Sequence, residues 1–148
     1  MSMNCTVTWT GAAGTGPTGM TFLAETGSGH TVVMDGAPDG GGRNLAPRPM
    51  EMVLLGTGGC AAYDVVVILR KSGQDVRGCE VKLDAERAGT DPKVFTRIAF
   101  HFTVRGRSLK ANVVERAIKL SHDKYCSASA MLAKTAELTL DWTIVEDA

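Results

Sequence analysis

The chain has 148 residues, of which sixteen are basic and sixteen acidic, so it carries no net charge with its histidines neutral. That length suits one ordinary domain, residues 1–148, with room for a substantial core. Balanced charge leaves no one-signed field to hold phosphate backbones or an anionic membrane surface, so neither nucleic acid nor membrane is expected as a partner.

Residues 5–9 and 20–35 read as strands. Gly11, Gly14, Gly16, Pro17 and Gly19 make the turn between them, and Gly27-Ser28-Gly29 marks a second tight turn. From Gly36 to Pro49 a Gly- and Pro-rich stretch, with Gly40-Gly41-Gly42-Arg43 and Pro47-Arg48-Pro49, reads as a flexible surface loop. The pattern then turns helical from Pro49 to Lys71, with Val53, Leu54, Thr57, Ala61, Val65, Ile68 and Leu69 at spacings of three and four, and Ser72-Gly73 ends it. Almost every side chain from Met50 to Leu69 is apolar or small, so this helix needs cover from a sheet or a partner chain. Gly, Asp and Arg break the apolar runs before the ~20 residues of a membrane span. The start, Met1 to Thr6, lacks the charged-then-apolar pattern of an export signal, and a cytoplasmic address is expected.

Residues 76–88 and 94–105 alternate as a hairpin about the turn Gly89-Thr90-Asp91-Pro92. A helical period returns over 109–120, a second helical piece runs from about Ser127 to Lys134, and Leu138, Leu140, Trp142 and Ile144 form a closing strand. Strands grouped in this way predict an α+β domain with mainly antiparallel pairing.

Four cysteines without dense spacing or an export signal favour reduced thiols. Cys5 and Cys79 fall in alternating strands, where a cysteine fills space as a small apolar residue. Cys60 and Cys126 differ. Each sits in a helical segment beside small residues, Gly58, Gly59, Ala61 and Ala62 for one and Ser127 and Ala128 for the other, which leaves a thiol room to meet a partner or substrate. A thiol reacts as thiolate, so positive charge should approach Cys60, and Arg43 and Arg48 in the preceding loop are the candidates. Asp64 falls four residues after Cys60 on the same helical face, where a bare carboxylate would oppose thiolate formation, so it must be paired or capping something. Glu51 lies about 13 Å along the axis from Cys60 and on the opposite side, suited to positioning an arginine, to a partner chain's site, or to the helix dipole. His122 and Cys126, four apart, would share a face of a continuous helix. With Cys60 and a carboxylate they would make an acceptable zinc set, but dispersed ligands without CxxC or HExxH do not predict one, and Gly36–Arg43 lacks the Lys-Ser/Thr of a phosphate loop. No metal or cofactor is expected.

The order of elements, the segment RPMEMVLLGTGGCAAYD and the later LSHDKYCSASAML together resemble the OsmC/Ohr superfamily of osmotically inducible and organic-hydroperoxide-resistance proteins, and within it the YhfA-like branch. The resemblance covers essentially the whole chain. It implies mainly antiparallel curved sheets wrapped around central helices in an intertwined homodimer, and reduction of organic hydroperoxides in oxidative or osmotic stress. In that reading Cys60 is the peroxide-attacking cysteine, Cys126 resolves it, Arg43 or Arg48 supplies the cation with Glu51 as a possible support, and an external dithiol regenerates the pair. Two positions depart from the peroxidase branches: Met50 follows the helix-opening proline where a glutamate is usual, with Glu51 one residue later, and Ser127 follows the second cysteine where proline is common. The alternative is a non-catalytic stress-response or small-hydrophobe-binding protein on the same fold.

Overall fold

In the computed structural model, which describes residues 1–11 and 19–148, the chain divides into two units, Met1–Val53 and Leu54–Ala148. Of the expected first turn, Gly14, Gly16 and Pro17 lie outside the described residues.

The first unit is built on a three-stranded antiparallel sheet in the order β1 (Cys5–Trp9), β2 (Phe22–Thr26), β3 (Thr31–Met34). A tight turn at Gly27-Ser28-Gly29 joins β2 to β3, and Gly29 adopts φ +86°, a conformation costly for any residue with a Cβ. All five residues of β1 are exposed within the unit, including Cys5. That corrects the reading of Cys5 as a buried filler: β1 is an edge strand with neither face covered here, so alternation alone did not imply burial.

The loop after β3 is tied down from inside. Asp35 is 1% exposed, and its carboxylate accepts hydrogen bonds from the backbone N–H groups of Gly36 (2.7 Å), Leu45 (3.2 Å) and Arg43 (3.4 Å). The Gly36 bond leads in holding its pKa below the ordinary 3.8, against a desolvation cost, and the Arg43 charge adds to the lowering. Gly42 backs onto Gly36 so closely that a Cβ there would fall 2.1 Å from the Gly36 carbonyl oxygen. The loop is therefore ordered by a buried anion rather than left flexible by its glycines. Because the native pKa is depressed, Asp35 contributes stability above the ordinary carboxyl value of 3.8, and that contribution is lost as pH falls and the folded carboxylate takes up a proton. Asp35→Asn should speed exchange of the Gly36, Arg43 and Leu45 amides roughly tenfold at neutral pH, with the difference from wild type shrinking in acid, as followed by hydrogen exchange.

Helix α1 (Pro49–Lys71) starts and ends where the sequence placed it. Pro49 opens it, and Glu51 reaches back to accept the Arg48 backbone N–H at 2.9 Å, the return half of a capping box. Its buried residues, Thr57, Gly58, Ala61, Val65 and Leu69, recur every three to four positions along one face. A Cβ on Gly58 would sit 2.6 Å from Leu83 Cδ1, so this glycine serves the approach of helix to sheet rather than access to a thiol. By length and composition α1 could cross a membrane: it has 23 residues, and its most apolar 18-residue window has a mean hydropathy of 1.9 with 28% of that window buried within the chain. Asp64 lies within that window, and Glu51 and Arg70 bound it.

In the second unit, β4 (Asp75–Arg87) and β5 (Phe95–Arg107) form the expected hairpin, antiparallel from Asp75↔Arg107 to Arg87↔Phe95. One face of β5 buries Ile98, Phe100, Phe102 and Val104, with the rings of Phe100 and Phe102 stacked 6.3 Å apart. The other face carries His101, whose Nδ1 lies 2.7 Å from Asp141 across the ladder. The final strand, β6 (Glu137–Glu146), pairs with β5 in parallel, from Arg97↔Glu137 to Gly106↔Glu146. Parallel neighbours need a crossover, and here it is α2 (Ala111–Leu120), a π-helical turn (Ser121–Tyr125) and the short α3 (Ser127–Leu132). Val114, Ala117 and Ile118 of α2 join the buried set with Val65 and Leu69 of α1.

Candidate functional site

Cys60 lies in the middle of α1 and is half-buried, and Asp64 follows one turn later on the same face. Cys126 caps the N-terminus of α3 and is 2% exposed. The Cys60 Sγ, the Cys126 Sγ and a carboxylate oxygen of Asp64 all lie within 4.8 Å of one another. Two remote segments thus deliver their sulfurs to one place, and a carboxylate arrives with them.

The π-helical turn explains how. Its wider winding lets the Cys126 N–H donate to the carbonyl of Ser121, five residues back, at 2.8 Å. Ser121 itself continues the buried face of α2 formed by Val114, Ala117 and Ile118, and the π turn brings Cys126, rather than a residue four positions after it, into line with that serine. Ser121 Oγ donates to Asp64 Oδ2 at 3.0 Å and reaches the Ala61 carbonyl at 3.4 Å. This is the partner that Asp64 required. His122 falls outside the cluster, with its Nδ1 buried and without a hydrogen bond, because four residues along a π turn are not one face of an α-helix.

Cys126 is held by Ser129, whose Oγ and backbone N–H donate to its sulfur at 3.1 and 3.4 Å. Burial pushes the Cys126 thiol above its ordinary pKa, the Ser129 bonds pull it down, and the neighbouring Cys60 sulfur pushes it up again. The balance is upward, which keeps Cys126 a protonated thiol at neutral pH beside a more accessible sulfur. Ser129→Ala removes one donor that favours the thiolate, so alkylation of Cys126 should shift to higher pH, as read by site-resolved iodoacetamide labelling across a pH series. An unchanged profile would mean that the Ser129 hydroxyl does not stabilise the ionised sulfur. Cys79, half-buried on β4, also has its thiol raised by burial, in keeping with a filler.

Arg43, Arg48 and Glu51 all belong to the first unit and are exposed there. The Arg43 charge acts on Asp35, and Glu51 caps α1 through the Arg48 backbone. Two contributors escaped the sequence reading: Ser129 carries no motif, and Ser121, although it continues the apolar period of α2, is a polar residue that a search for core positions passes over.

Comparison with known proteins adds the family. The OsmC-like protein family model matches residues 40–141, more than half of the chain. The chain belongs to the OsmC-like family. Protein YhfA of Escherichia coli K12 is 51% identical over 127 residues, which is 86% of this chain and 92% of that protein. Among solved structures, a hypothetical protein from Aquifex aeolicus VF5 is 26% identical with a TM-score of 0.82, covering 100% of this chain and 99% of the other. An organic hydroperoxide resistance protein from Elizabethkingia anophelis, with thiocyanate bound, shares the fold at 14% identity and a TM-score of 0.71, covering 98% of this chain and 97% of the other. The sequence resemblance to OsmC-like and YhfA proteins is thereby confirmed, as is an α+β fold shared with proteins named for hydroperoxide resistance.

Proposed function

We propose that this OsmC-like protein reduces organic hydroperoxides through Cys60 and Cys126. The observation that carries the reading is the meeting of the two sulfurs within 4.8 Å, one half-exposed and one buried and protonated. Cys60 thiolate attacks the O–O bond of a hydroperoxide, taking one oxygen as a sulfenic acid and releasing an alkoxide that leaves as the alcohol once protonated. The Cys126 sulfur then displaces hydroxide from that sulfenic sulfur, the thiol proton completes a water molecule, and a disulfide forms. Closing from the reduced separation to an S–S bond of about 2.05 Å asks for a small movement of side chains already facing each other. An external dithiol takes over the disulfide and returns both thiols.

In this reading residues 1–148 are one OsmC-like domain. Arg43 or Arg48, supported by Glu51, supplies the cation for the Cys60 thiolate, and a second copy covers the apolar residues that α1 leaves exposed, such as Val53, Leu55 and Tyr63. A cytoplasmic role in oxidative or osmotic stress is part of the same proposal. The test is a titration of free thiols in the reduced, metal-free protein exposed to cumene or tert-butyl hydroperoxide. Loss of two thiols per chain supports the reading, and no loss refutes it.

A further inference from the structure

We propose that Cys60, Asp64 and Cys126 form a reduced-state binding site for a thiophilic divalent cation of the zinc class, and that cation and disulfide exclude each other. Two sulfurs and one carboxylate oxygen within 4.8 Å of one another are the donors that Zn²⁺ accepts, and a softer set than Mg²⁺ or Ca²⁺ prefers. Tetrahedral bonds of about 2.3 Å to sulfur and 2.0–2.2 Å to oxygen put such donors roughly 3.5–3.8 Å apart, so the cluster need contract by only about 1 Å.

The outer contacts are already those of a ligand set. Ser121 Oγ donates to Asp64 Oδ2 and leaves the other carboxylate oxygen free of that bond, while the Ser129 N–H and hydroxyl steady Cys126 Sγ. Cys60 and Asp64 stand one helical turn apart on α1, and Cys126 comes from the opposite side at the start of α3, so the donors converge from two elements. Three protein ligands leave a fourth position for water, as in open zinc sites. The cation takes both sulfurs as thiolates, so binding expels the thiol proton of Cys126.

A metal holding both thiolates takes away the lone pairs needed for attack, and a disulfide takes away the ligands. Oxidation of the loaded site balances as two thiolates, one hydroperoxide and two protons giving a disulfide, an alcohol, water and the released cation. That release step rests on the hydroperoxide reading above, whereas binding does not.

The test starts from reduced, metal-free protein titrated anaerobically with Co²⁺. The expected result is a thiolate-to-cobalt charge-transfer band in the near ultraviolet that saturates at one Co²⁺ per chain and is abolished by Zn²⁺. Cys60→Ser and Cys126→Ser should each weaken binding more than tenfold and lose band intensity. Asp64→Asn, which can still accept from Ser121, should keep the band at saturation but weaken binding at least about tenfold. No band overturns the site, and a band that survives in the Cys60→Ser/Cys126→Ser double variant overturns it too and leaves an adventitious ion only. Failure here and failure of the peroxidase reading separate cleanly: metal-free protein that loses two thiols to hydroperoxide yet binds no Co²⁺ refutes only the metal site. A second measurement needs no variant. One equivalent of Zn²⁺ should slow thiol loss to hydroperoxide at least tenfold, and an unchanged rate refutes the mutual exclusion.

Discussion

Cys60→Ser should leave the protein with no consumption of hydroperoxide above the uncatalysed background, a fall of at least about three orders of magnitude. The expectation follows from asymmetry within the pair. Burial holds Cys126 as a protonated thiol that a hydroperoxide in solvent cannot reach, since it is 2% exposed. It cannot substitute for Cys60 as the attacking sulfur. Cys126→Ser should behave differently: one hydroperoxide is reduced per chain, and Cys60 then stalls as sulfenic acid or consumes a second hydroperoxide to become sulfinic acid, because no second sulfur displaces the hydroxide. Mass spectrometry of the intact protein distinguishes the two, with no added oxygen in the first variant and one or two in the second. Wild-type activity in Cys60→Ser would remove Cys60 as the attacking sulfur and with it the proposed mechanism.

How much of this could be read from residues alone depends on how local the cause is. The bounds of α1 were legible because Pro49 opens it and Ser72-Gly73 closes it, with an apolar period between. The β4–β5 hairpin was legible because its alternation is long and its turn is marked by Gly89 and Pro92. The two clustered cysteines stood out by their small neighbours and by family resemblance, although one of those neighbours, Gly58, is small for the sake of Leu83. Nonlocal causes were hidden. A π turn puts Cys126 in register with Ser121 instead of His122, and no composition signal distinguishes it from an α-helix that continues. The parallel sense of β6 is set by a crossover whose path is decided by packing. Asp35 looked like one polar residue before a glycine-rich loop, and only the folded chain brings three backbone amides onto its carboxylate.

Gly106→Ala should destabilise the second unit by about 3 kcal/mol, because the added methyl has nowhere to go. Gly106 is buried near the end of β5, paired with Val76 of β4 on one side and Glu146 of β6 on the other, and its carbonyl accepts the Asp147 N–H at 2.8 Å. A Cβ there would lie 2.2 Å from the Asp75 carbonyl oxygen and 2.9 Å from the Leu109 side chain. The leucine end can rotate away, but the Asp75 carbonyl is backbone at the first residue of β4 and moves only if the strand end moves. Strain is expected to spread to the neighbouring bulge, where the register shifts between Val76 and Gly78. For a unit of this size the loss corresponds to a melting temperature lower by roughly 10–20 °C. Gly59→Ala is the control, since a Cβ there meets nothing within 4 Å and alanine favours the helix by up to about 1 kcal/mol. Thermal unfolding followed by circular dichroism reads both. A Gly106→Ala protein that melts with wild type would mean that β4 starts with enough slack to yield, and that the three-strand junction does not anchor the sheet beneath the cysteine cluster.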